Sequence, residues 1–77
     1  MQVRLYYHAL VKLRGYENGA EVEIPEGSTV SELYDILGID KRRRSGVVMT
    51  VNGEPVWNST ILREKDEARL LASVGGG

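Results

Sequence analysis

Hydrophobic and polar positions alternate along the opening of the chain. In MQVRLYYHALV, Val3, Leu5 and Tyr7 fall on one side and Gln2, Arg4, Tyr6 and His8 on the other. A period of two predicts a strand with one buried face. VKLRGYENG then supplies turn chemistry, with Asn18-Gly19 its strongest signal. Alternation resumes in AEVEI, with Ala20, Val22 and Ile24 inward and Glu21 and Glu23 outward. The first two strands therefore form a hairpin with a loop of several residues.

The period changes in PEGSTVSELYDILGI. Val30, Leu33, Ile36 and Leu37 recur at helical spacing, and Thr29 and Glu32 have the spacing of a capping box. Gly38 suits the position after the last turn, so a short helix of about nine residues is expected. DKRRRSG follows as a polar, basic loop. VVMTVNGEPVW reads as two strands around an Asn52-Gly53 turn. In NSTILREKDE, Ile61 and Leu62 are expected to tuck under the domain, with Lys65-Asp66 as a turn. ARLLASV is the last strand, with Ala68, Leu70, Ala72 and Val74 on one face and Arg69, Leu71 and Ser73 on the other.

The order strand, strand, helix, strand, strand, strand asks one helix to cover one face of a mixed sheet. The natural arrangement sets the first and last strands side by side and parallel in the middle, the ubiquitin-like β-grasp of the α+β class. The expected organisation is a β-grasp domain over 1–74 and a flexible glycine tail over 75–77.

Composition narrows the chemistry. A chain of 77 residues holds one domain; at this size folding buries only about 60% of the surface exposed by the unfolded chain, which leaves little room for a deep pocket. No cysteine is present, which excludes disulfides, thiolate metal sites and a catalytic thiol. A net charge of −1 does not suggest a dedicated nucleic-acid binder. With no secretory leader pattern and no long apolar run, a soluble cytoplasmic protein without membrane contact is expected. His8, the one histidine, has no partner residue in the sequence for catalysis or metal binding and reads as a surface or packing residue. Trp57 reads as a half-buried packing residue. The run Lys41 to Arg44 reads as a solvated loop or an electrostatic contact with an acidic partner.

The sequence closes on Gly75, Gly76 and Gly77, directly after an apolar strand. Alone, such an end could be a frayed terminus. In order along the chain, VRLYYHALVKLRG, IPEGSTVSELYDIL, VVMTVNGEPV and TILREKDEARLLASVGGG resemble the MoaD/ThiS family of small sulfur carriers, over its whole length. That family includes the small subunit of molybdopterin synthase and the thiamine sulfur carrier. The sequence departs from the family pattern at Lys12, where arginine is usual, and at Lys65, where the turn usually has glycine. Ala72 and Ser73 stand in place of prolines, Gly75 adds a third glycine, and Lys41 to Arg44 is not a family hallmark.

The resemblance implies that the protein is a carrier and not itself a catalyst. It binds no cofactor; the C-terminal carboxylate of Gly77 is adenylated and converted to a thiocarboxylate, both transient modifications. Gly75 and Gly76 would thread partner channels, which suits residues without a Cβ. Five residues from Ser73 to Gly77 span at most ~17 Å when extended. Implied partners are a ubiquitin-activating-type adenylating enzyme, a sulfur donor protein, and the large subunit of molybdopterin synthase or a thiazole synthase, with molybdopterin favoured because the loop LVKLRGYENG is long. Arg4, Tyr6, His8, Arg69 and Leu71 would form a partner-docking patch on the outer sheet face. The alternatives are a ubiquitin-like modifier joined through Gly77 to other proteins, or a non-catalytic interaction module.

Overall fold

The computed structural model describes residues 1–8, 10, 11 and 13–73. The tail expected at Gly75, Gly76 and Gly77, the inward placement of Val74 and the departure at Lys12 lie outside these residues.

Five strands make one mixed sheet: β1 (Gln2–Tyr7), β2 (Glu21–Glu23), β3 (Val47–Val51), β4 (Glu54–Pro55) and β5 (Glu67–Ala72), in the order β2-β1-β5-β3-β4. β1 and β5 are parallel in the middle, with Leu5 opposite Ala68 and Tyr7 opposite Leu70. β5 also pairs antiparallel with β3, Met49 facing Leu70. The central pairing expected from the element order is present, and the architecture is the β-grasp.

One helix, α1 (Val30–Ile36), covers the inner face. It starts where the sequence marks it. Thr29 accepts from the Glu32 N–H, and the Glu32 carboxylate accepts from the Thr29 N–H at 3.1 Å. At the other end Gly38 takes φ +77, and the N–H groups of Gly38 and Ile39 donate to the carbonyls of Asp35 and Tyr34. That is the Schellman pattern, and the following Ile39 is buried as the pattern favours. The helix has seven residues rather than nine. Its buried stripe is Val30, Leu33, Tyr34 and Leu37, spaced i, i+3, i+4, i+7, so Ile36 falls off the stripe and is 37% exposed.

Beneath α1 lie Val3, Leu5, Val22, Ile24, Met49, Val51, Ala68 and Leu70, all buried. Asn52 and Gly53, with φ of 53° and 82°, form the I′-type turn joining β3 and β4. Asn18-Gly19 acts differently. Gly19, at φ +86, and Ala20 both face Leu5, and the Asn18 side chain bonds the N–H and C=O of Tyr7. This is a glycine bulge that returns a long loop to the sheet.

Three further expectations need correction. Trp57 is 80% exposed, not half-buried. Its backbone closes a turn with Thr60, its N–H donating to Thr60 Oγ1 at 3.0 Å and its C=O accepting from Thr60 N–H at 3.0 Å. Ile61 is exposed while Leu62 is buried. Ile61 bridges to Thr29 in extended backbone, where successive side chains point oppositely and only one of the pair can enter the core. The basic loop contains a 3-10 turn over Arg43–Gly46. Arg44 folds inward there: its side chain donates to the Ile39 carbonyl at 3.0 Å, pairs with Asp35 and lies 5.1 Å from the Tyr34 ring centre. Burial raises the pKa of the Tyr34 hydroxyl, and the Arg44 charge partly offsets that rise.

Candidate functional site

β5 brings the chain to its end through the middle of the sheet. Held by β1 on one side and β3 on the other, it is the least free strand to peel. Among the described residues its last tie is the Ser73 N–H, which donates to the Gly46 carbonyl at 2.9 Å. The exit is thereby fixed beside the 3-10 turn.

Alternation along β1 and β5 sends Leu5, Ala68 and Leu70 inward and Arg4, Tyr6, Arg69 and Leu71 outward. Among the described residues no second layer covers the outer face. Tyr6 and Arg69 are cross-strand partners, and the Arg69 guanidinium lies 4.9 Å from the Tyr6 ring centre. Such a contact is worth roughly 0.5–1 kcal/mol at an exposed site and holds both groups flat on the sheet. Arg4 reaches toward β2, donating to the Gly19 carbonyl at 3.0 Å and pairing with Glu21 at 3.0 Å. Both partners are half exposed, so the pair adds roughly 0–1 kcal/mol to stability.

His8 follows β1, its N–H on the Leu70 carbonyl at 2.9 Å and its Nδ1 accepting from the Leu10 N–H at 3.2 Å. That bond assigns the proton of the neutral ring to Nε2. The structure thus places Arg4, Tyr6, Arg69 and Leu71 on one open face and His8 at its exit end.

The sequence reading missed Val48. It stands opposite Leu71 in the β3–β5 register and is 45% exposed, with Leu71 at 37%. Thr50, opposite Arg69, continues the same outward row. The signal was present in VVMTV, where Val47, Met49 and Val51 turn inward and leave Val48 and Thr50 outside. Pairing the first strand only with the last left β3 out of the patch. With Val48 and Leu71 adjacent, the face has an apolar centre flanked by Tyr6 and Arg69, a composition suited to a protein partner.

Among the described residues no group of three or more His, Asp or Glu side chains could hold a metal ion, and no helix is long and apolar enough to cross a membrane. Among the described residues, the hollows beside β1, beside the end of α1 and beside β3 are open to solvent. The arrangement presents an open sheet face beside the exit of β5 at Ser73.

Comparison with known proteins agrees with this geometry. A search of curated proteins finds no match. Among solved structures, a Pyrococcus furiosus protein described as a candidate molybdopterin converting factor, subunit 1, superposes with a TM-score of 0.74 at 25% identity, covering 95% of this chain and 98% of that one. SAMP1 from Haloferax volcanii superposes at 0.75 over the full length of both chains, at 19% identity. A second structure of that small archaeal modifier protein gives 0.72 at 20% identity, covering 95% of this chain and 98% of that one. These last two show the shared fold. The model of the ThiS family matches residues 5–77. The chain therefore belongs to the ThiS family and has the ubiquitin-like fold of small sulfur carriers.

Proposed function

We propose that this protein is a sulfur carrier whose reactive group is the carboxyl of Gly77. The observation that carries the reading is the extent of the family match, which runs from residue 5 through residue 77 and so includes the three glycines as well as most of the sheet. The central position of β5 supports it, because a strand held on both sides can pass its following residues to a partner without loosening the core.

The chemistry follows from the carboxylate. With a pKa near 3.3–3.7 it is ionised at neutral pH and is a poor electrophile. Attack of its oxygen on the α-phosphorus of ATP expels pyrophosphate and gives an acyl-adenylate. A hydrosulfide equivalent from a sulfur donor then adds to the carbonyl carbon, AMP leaves, and a thiocarboxylate remains on Gly77. The adenylating enzyme catalyses these steps; this chain contributes the tail and a docking face of Arg4, Tyr6, His8, Arg69 and Leu71, to which Val48 is added. Its cofactor chemistry is limited to the transient adenylate and thiocarboxylate. ATP-dependent activation of this kind belongs in the cytoplasm.

Two acceptors fit: the large subunit of molybdopterin synthase first, a thiazole synthase second. The long segment between β1 and β2 and the likeness to the Pyrococcus protein favour the first. A modifier role is the second reading, favoured by the match to SAMP1 over the full length of both chains, a likeness of fold.

Intact-mass spectrometry after incubation with a MoaD/ThiS-type activating enzyme, ATP and sulfide tests the proposal. The mass should rise by the exchange of one oxygen for sulfur, and deletion of Gly76 and Gly77 should abolish the change. An unchanged mass with an enzyme that activates its own carrier contradicts the reading. Conjugates to lysine that persist under reducing conditions, with no thiocarboxylate found, would instead establish the modifier.

A further inference from the structure

The net charge of −1 conceals a strong separation of charge. At the end of the sheet where β1 begins, Glu64 accepts from the Gln2 N–H, Glu23 pairs with the Met1 ammonium at 2.9 Å, and Asp66 and Glu67 lie at the start of β5. The cations of that end are the Met1 ammonium, Arg4, Arg63 and Lys65, with Arg4 paired to Glu21. At the opposite end, where the chain leaves β5, stand Arg14, Lys41, Arg42 and Arg43, all exposed. The acids there are Glu17, Asp35 and Asp40; Asp35 is taken by Arg44, and Asp40 accepts from the Arg43 N–H at 3.0 Å. Arg14, Lys41 and Arg42 form no ion pair with a described residue.

Local structure sets this cluster. Tyr7 donates its hydroxyl to the Tyr16 carbonyl at 2.6 Å, and Tyr16 donates its own to the Ile36 carbonyl at 3.3 Å, which ties the loop bearing Arg14 to the end of α1. Arg14, Tyr16, Ile36, Leu37, Gly38 and Arg43 then line one open groove of about 620 Å³. That is too wide for a single ion. Its walls mix apolar and polar groups, and Arg14 brings to it a guanidinium fork of the kind that matches carboxylates in bidentate geometry.

The exit geometry says what must approach. Ser73 is bonded to Gly46, and Arg43 lies three residues before Gly46, about 6 Å along a 3-10 rise. A channel that receives Gly77 must open within ~17 Å of Ser73. Ser73, from which that reach is measured, therefore stands beside the 3-10 turn that carries Arg43.

We propose that the Arg14–Arg43 groove is an electrostatic docking site for an acidic segment on the rim of the protein that takes up the tail, distinct from the Tyr6–Val48–Leu71 face. The proposal rests on the carrier reading for the identity of that partner. A carboxylate-bearing protein is favoured over nucleic acid because the acidic end of the molecule repels an extended polyanion, whereas a local acidic rim meets only the basic end.

The test has two arms. In the first, the full ¹⁵N-labelled chain is titrated with a short oligo-glutamate peptide, with oligo-glutamine and a single-stranded oligonucleotide as comparison probes. Oligo-glutamate should shift the amides of residues 14–16 and 36–46, binding should weaken as salt rises, and Arg14→Glu with Arg43→Glu should reduce affinity at least ~10-fold. Arg63→Glu with Lys65→Glu, an equal change of charge at the other end, should not. Shifts confined to other surfaces, equal binding of oligo-glutamine, or tighter binding of the oligonucleotide overturns the proposal. The second arm measures thiocarboxylation at low salt by an activating enzyme. The groove variant should lose at least ~10-fold in kcat/KM with kcat retained, and high salt should erase the difference. If the wild type is thiocarboxylated and the groove variant matches it, the groove proposal falls and the carrier reading stands. If the wild type is not activated, the carrier reading falls and the peptide titration decides the groove.

Discussion

Leu70 and Leu71 are consecutive in β5 and meet opposite surroundings. Leu70 is fully buried between Met49, Tyr7 and the helix layer; Leu71 lies beside Val48 on the open face. The same side chain thus serves cohesion at one position and, in the proposed function, recognition at the next. The strand period of two separates the roles, and a register slip of one residue would exchange them. Inner positions should show their effects in folding and outer positions in partner binding.

The sharpest contrast comes from these two leucines. Leu70→Ala should cost about 2–5 kcal/mol by chemical denaturation, through lost transfer energy and the cavity left behind. That is a large part of the ~4–12 kcal/mol available to a domain of this size. Leu71→Asp should change stability by no more than about 0.5 kcal/mol while lowering the rate of thiocarboxylation at least ~10-fold. Unfolding of the Leu71 variant, or full activity in it, would break the comparison.

Smaller effects sharpen the inner half. Thr29→Ala removes the capping box that starts α1 and should cost about 1 kcal/mol, with the outer face unchanged in NMR spectra. Lys65, at φ +68, occupies the left-handed region at the turn before β5. Lys65→Gly should therefore stabilise by about 0.5–1 kcal/mol, since relief of the Cβ clash exceeds the added chain entropy; a fall in denaturation midpoint would refute this. The smallest effect is a dependence on pH. The Tyr34 hydroxyl has its pKa raised above 10.0 by burial, so the stability linked to its neutral form is complete below pH 10 and is lost as pH rises through the higher native value. Wild-type stability should fall more steeply above pH 10 than that of Tyr34→Phe, and parallel curves would contradict the assignment.

Much of the fold was legible because its signals are local. Thr29 with Glu32, Gly38 and Asn52-Gly53 each dictate backbone geometry within a few residues, and the alternation in β1 and β5 identifies their buried faces. Lys65 makes sense with structure in hand: the position that usually carries glycine in the family is one of positive φ. What the sequence concealed depends on tertiary neighbours. Trp57 points outward because its loop closes on Thr60, and no hydrophobicity scale contains that bond. Arg44 left the basic run because Asp35, the Ile39 carbonyl and the Tyr34 ring converge on it. Val48 joined the docking face only once β3 was known to flank β5. The basic groove required α1, the loop after β1 and the 3-10 turn to meet.

The most direct test of the central claim is a fragmentation spectrum of the C-terminal peptide after reaction with activating enzyme, ATP and sulfide. The account predicts that the added sulfur resides on Gly77 as a thiocarboxylate and nowhere else in the chain. Sulfur on another residue, or an unmodified Gly77 when the enzyme's own carrier is converted, would contradict it.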